Sequence, residues 1–160
     1  SYTVGLADPG RMAERASTAA DRGFPVLKVK LGGGDGRDRE RLRAVRAAAP
    51  DATLRVDANG AWSVERALST AEDLVAAGVE FLEQPVPGDD RDALRAVHRE
   101  APLPIAADEA CVDATEVPAG ADVWGLAGGE LPECGGGGGA GGEGRGARDP
   151  RPGARLGRCR

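Results

Sequence analysis

Four short signatures carry the residues of this chain that could do chemistry: Lys28-Val29-Lys30, Asp57-Ala58-Asn59, Glu83-Gln84-Pro85 and Asp108-Glu109. The acidic members Asp57, Glu83 and Asp108 fall 26 and 25 residues apart, about the length of one strand–helix unit. Each signature closes a short apolar run: Val26-Leu27, Leu54-Arg55-Val56, Val79 to Leu82, and Ile105 to Ala107. If those runs are neighbouring parallel strands, the three carboxylates meet beyond their C-terminal ends, where barrel enzymes keep their chemistry. Three hard oxygen donors converging on one point suit Mg²⁺ or Mn²⁺, with water or substrate completing the octahedron. An acidic residue after a strand more often caps the next helix. Here the repetition at near-constant spacing weighs toward a metal.

Lys28 and Lys30 sit two apart on one run, so as strand residues they point to the same face, the barrel interior. Lysine is seldom buried without a partner. Two ammonium groups beside a divalent cation repel each other, and we expect each pKa to fall. A lysine shifted toward neutrality is a fitting general base for a weakly acidic C–H.

The elements that must position these groups alternate along the chain. We expect strands at Ser1–Leu6, Val26–Leu31, Thr53–Asp57, Val79–Glu83 and Ile105–Asp108, with a weaker one at Asp122–Leu126. Helices are expected at Met12–Arg22 after a turn at Asp8-Pro9-Gly10, and at Arg39–Ala49. Further helices are expected at Glu65–Ala77 with Ser63 as N-cap, at Arg91–Glu100 capped by Asp89 or Asp90, and briefly at Asp113–Val117. The loop Gly32-Gly33-Gly34-Asp35-Gly36 fits neither phosphate-loop pattern and reads as a flexible strand-to-helix connection. Trp62 and Trp124 read as packing residues, and His98 as a surface residue remote from the acidic anchors. Glu109 reads as a partner for a lysine or as the start of the next helix. The fold class this implies is α/β: a partial (β/α) TIM-type barrel of about five to six βα units. At 160 residues the chain is short of the roughly 250 typical of a closed eight-unit barrel.

Composition bounds the partners. Net charge is −5, and the segment 128–160 holds six Arg against four Asp and Glu, leaving an acidic body. Such a body argues against nucleic-acid binding. No run of transmembrane length and no signal peptide is visible, and Cys111, Cys134 and Cys159 form no CxxC pair. Cytoplasmic residence and no zinc site are therefore expected. From residue 127 onward the chain turns to glycine, arginine and proline, a composition that cannot offset ordering entropy by burial. We expect two regions: 1–126, the partial barrel, and 127–160, a disordered or frame-shifted tail.

At the four signatures, and at Ser1-Tyr2-Thr3-Val4-Gly5 and Phe24-Pro25, the sequence resembles the enolase superfamily in its muconate-lactonizing/mandelate racemase branch. It looks most like the dipeptide epimerases of L-Ala-D/L-Glu type over residues 1 to 126. The resemblance implies a modified barrel in which Asp57, Glu83 and Asp108 hold Mg²⁺, and a small carboxylate substrate, such as a dipeptide, bound to that metal. It implies a racemase or epimerase that removes the Cα proton to give a stabilised enediolate, with Lys30 as base and Lys28 tuning it. An o-succinylbenzoate synthase-like or muconate cycloisomerase-like enzyme would use the same groups.

The departures from the family pattern lie around the edges. The N-terminal capping domain and the last strands of the barrel are expected to be missing. A second lysine, on the opposite face of the substrate, is replaced by Glu130 or by Ala127, depending on alignment. A non-catalytic remnant is therefore the alternative from another class. Its open strand edges would favour self-association, leaving a homo-oligomer open.

Overall fold

The computed structural model describes residues 1–110 and the short strand Trp124–Gly125. Six strands form one sheet in chain order: β1 (Tyr2–Val4), β2 (Val26–Lys30), β3 (Thr53–Asp57), β4 (Val79–Glu83), β5 (Ile105–Ala107) and β6 (Trp124–Gly125). Every neighbouring pair is parallel. Helices α1 (Pro9–Asp21), α2 (Asp38–Ala48), α3 (Val64–Ala76) and α4 (Arg91–Glu100) fill the first four crossovers. Sequential parallel strands with a helix in each of the first four crossovers make an arc of a (β/α) barrel, as expected. The expected helix at Asp113–Val117, the three cysteines and the tail 127–160 lie outside the described residues.

The two faces of the sheet differ in chemistry. Leu27, Val29, Leu54, Val56, Leu82 and Ile105 are fully buried and join Met12, Leu42, Val45, Leu74 and Val97 of the helices in one core. Strand alternation sends Lys28, Lys30, Arg55 and Asp57 to the other face. A parallel sheet buried on both sides would read as continuous apolar runs, but these strands read VLKVK and TLRVD, apolar outward and charged inward. On the inner face Arg55 lies over the Phe81 ring at 5.2 Å and pairs with Glu80 at 2.6 Å, beside an irregularity in the β3–β4 register.

The helix ends follow from local side chains. Asp8 is not in a turn before the first helix but is its N-cap, accepting from Arg11 N at 3.1 Å with Pro9 as the first helical residue. Proline suits that position because its missing N–H would have had no partner there. The same helix closes through Gly23, whose φ of +81° favours glycine, while Phe24 N–H returns to the Ala19 carbonyl. Ser63 and Asp90 cap α3 and α4 by accepting from Arg66 N and Ala93 N. On α2, Arg46 carries its guanidinium to the carbonyls of Ala77, Ala49, Pro50 and Ala52, tying the helix to the α2–β3 and α3–β4 connections. His98 lies on α4, half-buried.

Candidate metal and proton-transfer site

The C-terminal ends of β2, β3, β4 and β5 bring the expected residues to one mouth. The ladder pairs Lys30 with Asp57, and Asp57 with Glu83, while Asp108 follows the end of β5. One carboxylate oxygen from each of Asp57, Glu83 and Asp108 lies within 4.8 Å of the other two. Asp57 and Glu83 are buried and Asp108 is half-buried. Three carboxylates this close repel one another unless cations stand among them. Two do. Lys28 Nζ lies 2.8 Å from Asp57 Oδ2 and 2.8 Å from both oxygens of Glu83. Lys30 Nζ lies 2.7 Å from Asp57 Oδ2 and 2.7 Å from Asn59 Oδ1.

The electrostatics follow from burial set against these contacts. Burial works against the Asp57 carboxylate, but hydrogen bonds from Lys28, Lys30 and the Asn59 amide outweigh it, and its pKa falls below the usual value. Burial raises the Glu83 pKa, the Lys28 hydrogen bond opposes the rise, and the charges of Asp57 and Asp108 add to it. Lys28 corrects an expectation. Burial, the largest single influence, acts against its charge, but the hydrogen bonds and charges of Asp57 and Glu83 together outweigh it, so its pKa is raised rather than lowered. The expected repulsion between the lysines is overridden because two negatively charged carboxylates stand in direct contact with the Lys28 ammonium.

Three features here had no role in the sequence reading. Asn59 holds the Lys30 ammonium from a left-handed backbone (φ +45°) in the Asp57-Ala58-Asn59-Gly60 turn. An Asx-Gly pair after a strand is the signal that could have found that turn. Gln84, wholly buried, reaches across to the backbone that follows β5. The third is a second buried charge cluster behind the lysine strand. Asp38 Oδ1 accepts from the amides of Gly32 and Gly33 and from Arg41 Nη1, and Asp38 Oδ2 from Trp62 Nε1 at 3.1 Å. Arg41 also grips Asp35 through two contacts of 2.6 Å.

That second cluster adds to two readings. The glycine loop is tied to α2 through the Gly32 and Gly33 amides, and Trp62 packs in the core as expected while its indole N–H also bonds to Asp38. Gly32 is required twice over: its φ is +91°, and a Cβ there would stand 2.6 Å from Ala61 Cβ. Glu109 is exposed, and among the described residues no ion pair joins it to a lysine. A cavity of about 260 Å³ lined by Phe24, Pro25, Pro50 and Asp51 lies at the opposite, N-terminal end of the strands, away from every carboxylate named above.

The donor set of the inner cluster, three carboxylates and no sulfur or imidazole, fits a hard divalent cation such as Mg²⁺. Comparison with known proteins bears on that reading directly. The family profile described as "Enolase C-terminal domain-like" matches residues 11–121. The chain belongs to this enolase-type family. It is 45% identical over 112 residues to the L-Ala-D/L-Glu epimerase of Escherichia coli, covering 69% of this chain and 33% of the relative. Among solved structures, it is similar to the dipeptide epimerase of Enterococcus faecalis complexed with Mg and the dipeptide L-Leu-L-Tyr. That match has TM-score 0.69 at 37% identity, over 72% of this chain and 33% of the other. A mandelate racemase/muconate lactonizing protein of Herpetosiphon aurantiacus matches with TM-score 0.69 at 35% identity, over 72% and 34%. This enolase-type chain thus spans about a third of the length of the relatives it matches. No helix among its described residues is long and apolar enough to cross a membrane.

Proposed function

We propose that this chain carries the metal-binding and proton-abstracting part of a Mg²⁺-dependent racemase or epimerase acting at the Cα of a small carboxylate substrate, with a dipeptide as the substrate class. The observation that supports it best is the convergence of Asp57, Glu83 and Asp108 with two lysines on one mouth of the sheet. Asp57, Glu83 and Asp108 are the residues that would hold the ion. A bound Mg²⁺ supplies electrostatic stabilisation of the negative charge that grows on the substrate carboxylate as the proton leaves.

The two lysines divide the remaining work. Lys28 lies between two carboxylates, so its proton is held tightly and its charge offsets theirs. Lys30 touches one carboxylate and the neutral amide oxygen of Asn59. With one carboxylate partner against the two that hold Lys28, it is the lysine we assign to take the Cα hydrogen. Asn59 orients the Lys30 amine toward the open mouth. Asp57, shared by both lysines, couples their positions.

The test is exchange of the substrate Cα hydrogen with deuterium from solvent, followed by NMR on L-Ala-L-Glu with Mg²⁺ present. Lys30→Ala is expected to lower that exchange by at least about 10²-fold, the range for loss of a general base. Exchange that persists in Lys30→Ala at the wild-type rate excludes Lys30 as the base.

A further inference from the structure

Gln84 combines two features that each cost stability. Its backbone is left-handed (φ +37°) although a proline follows, where extended conformations are preferred. Its amide side chain is completely withdrawn from water, at 0% exposure. Every hydrogen bond it makes falls on the segments that carry the three carboxylates. Its Oε1 accepts from the backbone amides of Asp108 at 2.9 Å and Ala110 at 3.2 Å. Its Nε2 donates to the Val86 carbonyl at 2.8 Å. Two amide donors require an oxygen facing them, so the orientation of the side-chain amide is fixed by its partners. Through its backbone, Gln84 N–H reaches the Ala106 carbonyl and its own carbonyl accepts from Gly60, both at 2.8 Å.

The carboxylates do not share one means of placement. Asp57 and Glu83 end adjacent strands and pair in register, so the ladder sets their separation. The last registered pair of β4 and β5 is Glu83 with Ala106, and Asp108 lies beyond it and beyond the end of β5. Asp108 needs another restraint. The only side chain among the described residues bonded to its backbone N–H is that of Gln84. We propose that Gln84 is the positioning residue of the cluster, its amide oxygen gripping the backbone at Asp108 and Ala110 and so setting where the third carboxylate stands. The consequence for metal binding rests on the reading of Asp108 as a ligand; the grip itself does not.

The experiment uses the full chain without metal and follows backbone amide hydrogen exchange by NMR. Gln84→Met keeps the length and removes the acceptor, while Gln84→Glu keeps an acceptor oxygen. In Gln84→Met, exchange at Asp108 and Ala110 is expected to quicken about tenfold, while Ala58, bonded to the Glu83 carbonyl, keeps its rate. In Gln84→Glu, protection at Asp108 and Ala110 is expected to return. The Mg²⁺ dissociation constant by calorimetry should rise about tenfold in Gln84→Met, the range for loss of a group that orients a ligand. Unchanged exchange at Asp108 and Ala110, or equal quickening at Ala58, overturns the proposal. If Gln84→Met does not fold, Gln84→Glu decides alone, protection supporting the grip and its loss refuting it. If wild type takes up no Mg²⁺, the ligand reading of Asp108 fails, and the exchange rates still decide what Gln84 does.

Discussion

Two buried acidic clusters lie on either side of the β2 connection, and they are built differently. Around Asp38 the donors are two backbone amides, an indole N–H and a guanidinium. Those donors are held in place by the fold, and the more exposed Arg66 guanidinium stands farther off, 3.9 Å from Asp38 Oδ2. Around Asp57 the donors to the side chains are two lysine ammoniums and one backbone amide, and three carboxylates face two cations. A lysine on a long stem can turn away when a stronger cation arrives, whereas a backbone amide cannot. The comparison teaches that burial and charge do not mark a site by themselves. A surplus of carboxylate held by movable cations is what the proposed metal site has and the Asp38 cluster lacks.

The comparison can be broken by removing one acid from each cluster. Asp38→Asn leaves Arg41 with Asp35 as its one carboxylate partner beside the Ala7 carbonyl, and turns an amide group toward the Trp62 N–H. It is expected to cost about 3 kcal/mol or more, the scale for breaking a buried ion pair. Asp57→Asn leaves Lys28 with Glu83 and Lys30 with Asn59, and it relieves repulsion among the acids. Its cost is expected to be about 1 kcal/mol. Urea unfolding without metal measures both, and equal losses would show that the two clusters are structural alike.

A smaller effect sharpens the electrostatic half of the comparison. The hydrogen bond from Arg41, then the amide of Arg37, hold the Asp35 carboxyl well below its ordinary range. A lowered folded pKa contributes stability that is present above the unfolded value near 3.8 and is lost as pH falls toward the folded one. Wild type is therefore expected to exceed Asp35→Asn in stability at neutral pH, the gap narrowing as pH falls below about 4. A gap that stays constant from neutral pH to pH 2 would show that Arg41 draws nothing from the Asp35 charge.

Much of this architecture was legible in the sequence because it is local. Apolar runs ending in Asp or Glu gave β3 and β4 at their observed bounds, and Ser63 announced the start of α3. Asp8-Pro9-Gly10 misled because an N-cap followed by proline has the same composition as a turn. The Gln84 grip spans 24 residues to Asp108, and the Asp38–Trp62 bond likewise joins residues 24 apart. Neither has a periodicity to announce it, since such partners become neighbours only once the strands are in register. The lysine pair was read from its spacing, but the sign of the Lys28 shift depended on which groups lie across the sheet. That is a property of strand order, and a single strand's sequence does not contain it.

The central claim is that the Asp57 cluster, and not the Asp38 cluster, is built to take a divalent cation. It is tested most directly by thermal unfolding in rising Mg²⁺. The account predicts that wild type gains stability with Mg²⁺, by about 2.7 kcal/mol once the ion stands at a hundred times its dissociation constant. Asp38→Asn should show the same gain from a lower starting point, and Asp57→Asn should show none. No gain in wild type, or an equal gain in Asp57→Asn, would contradict it.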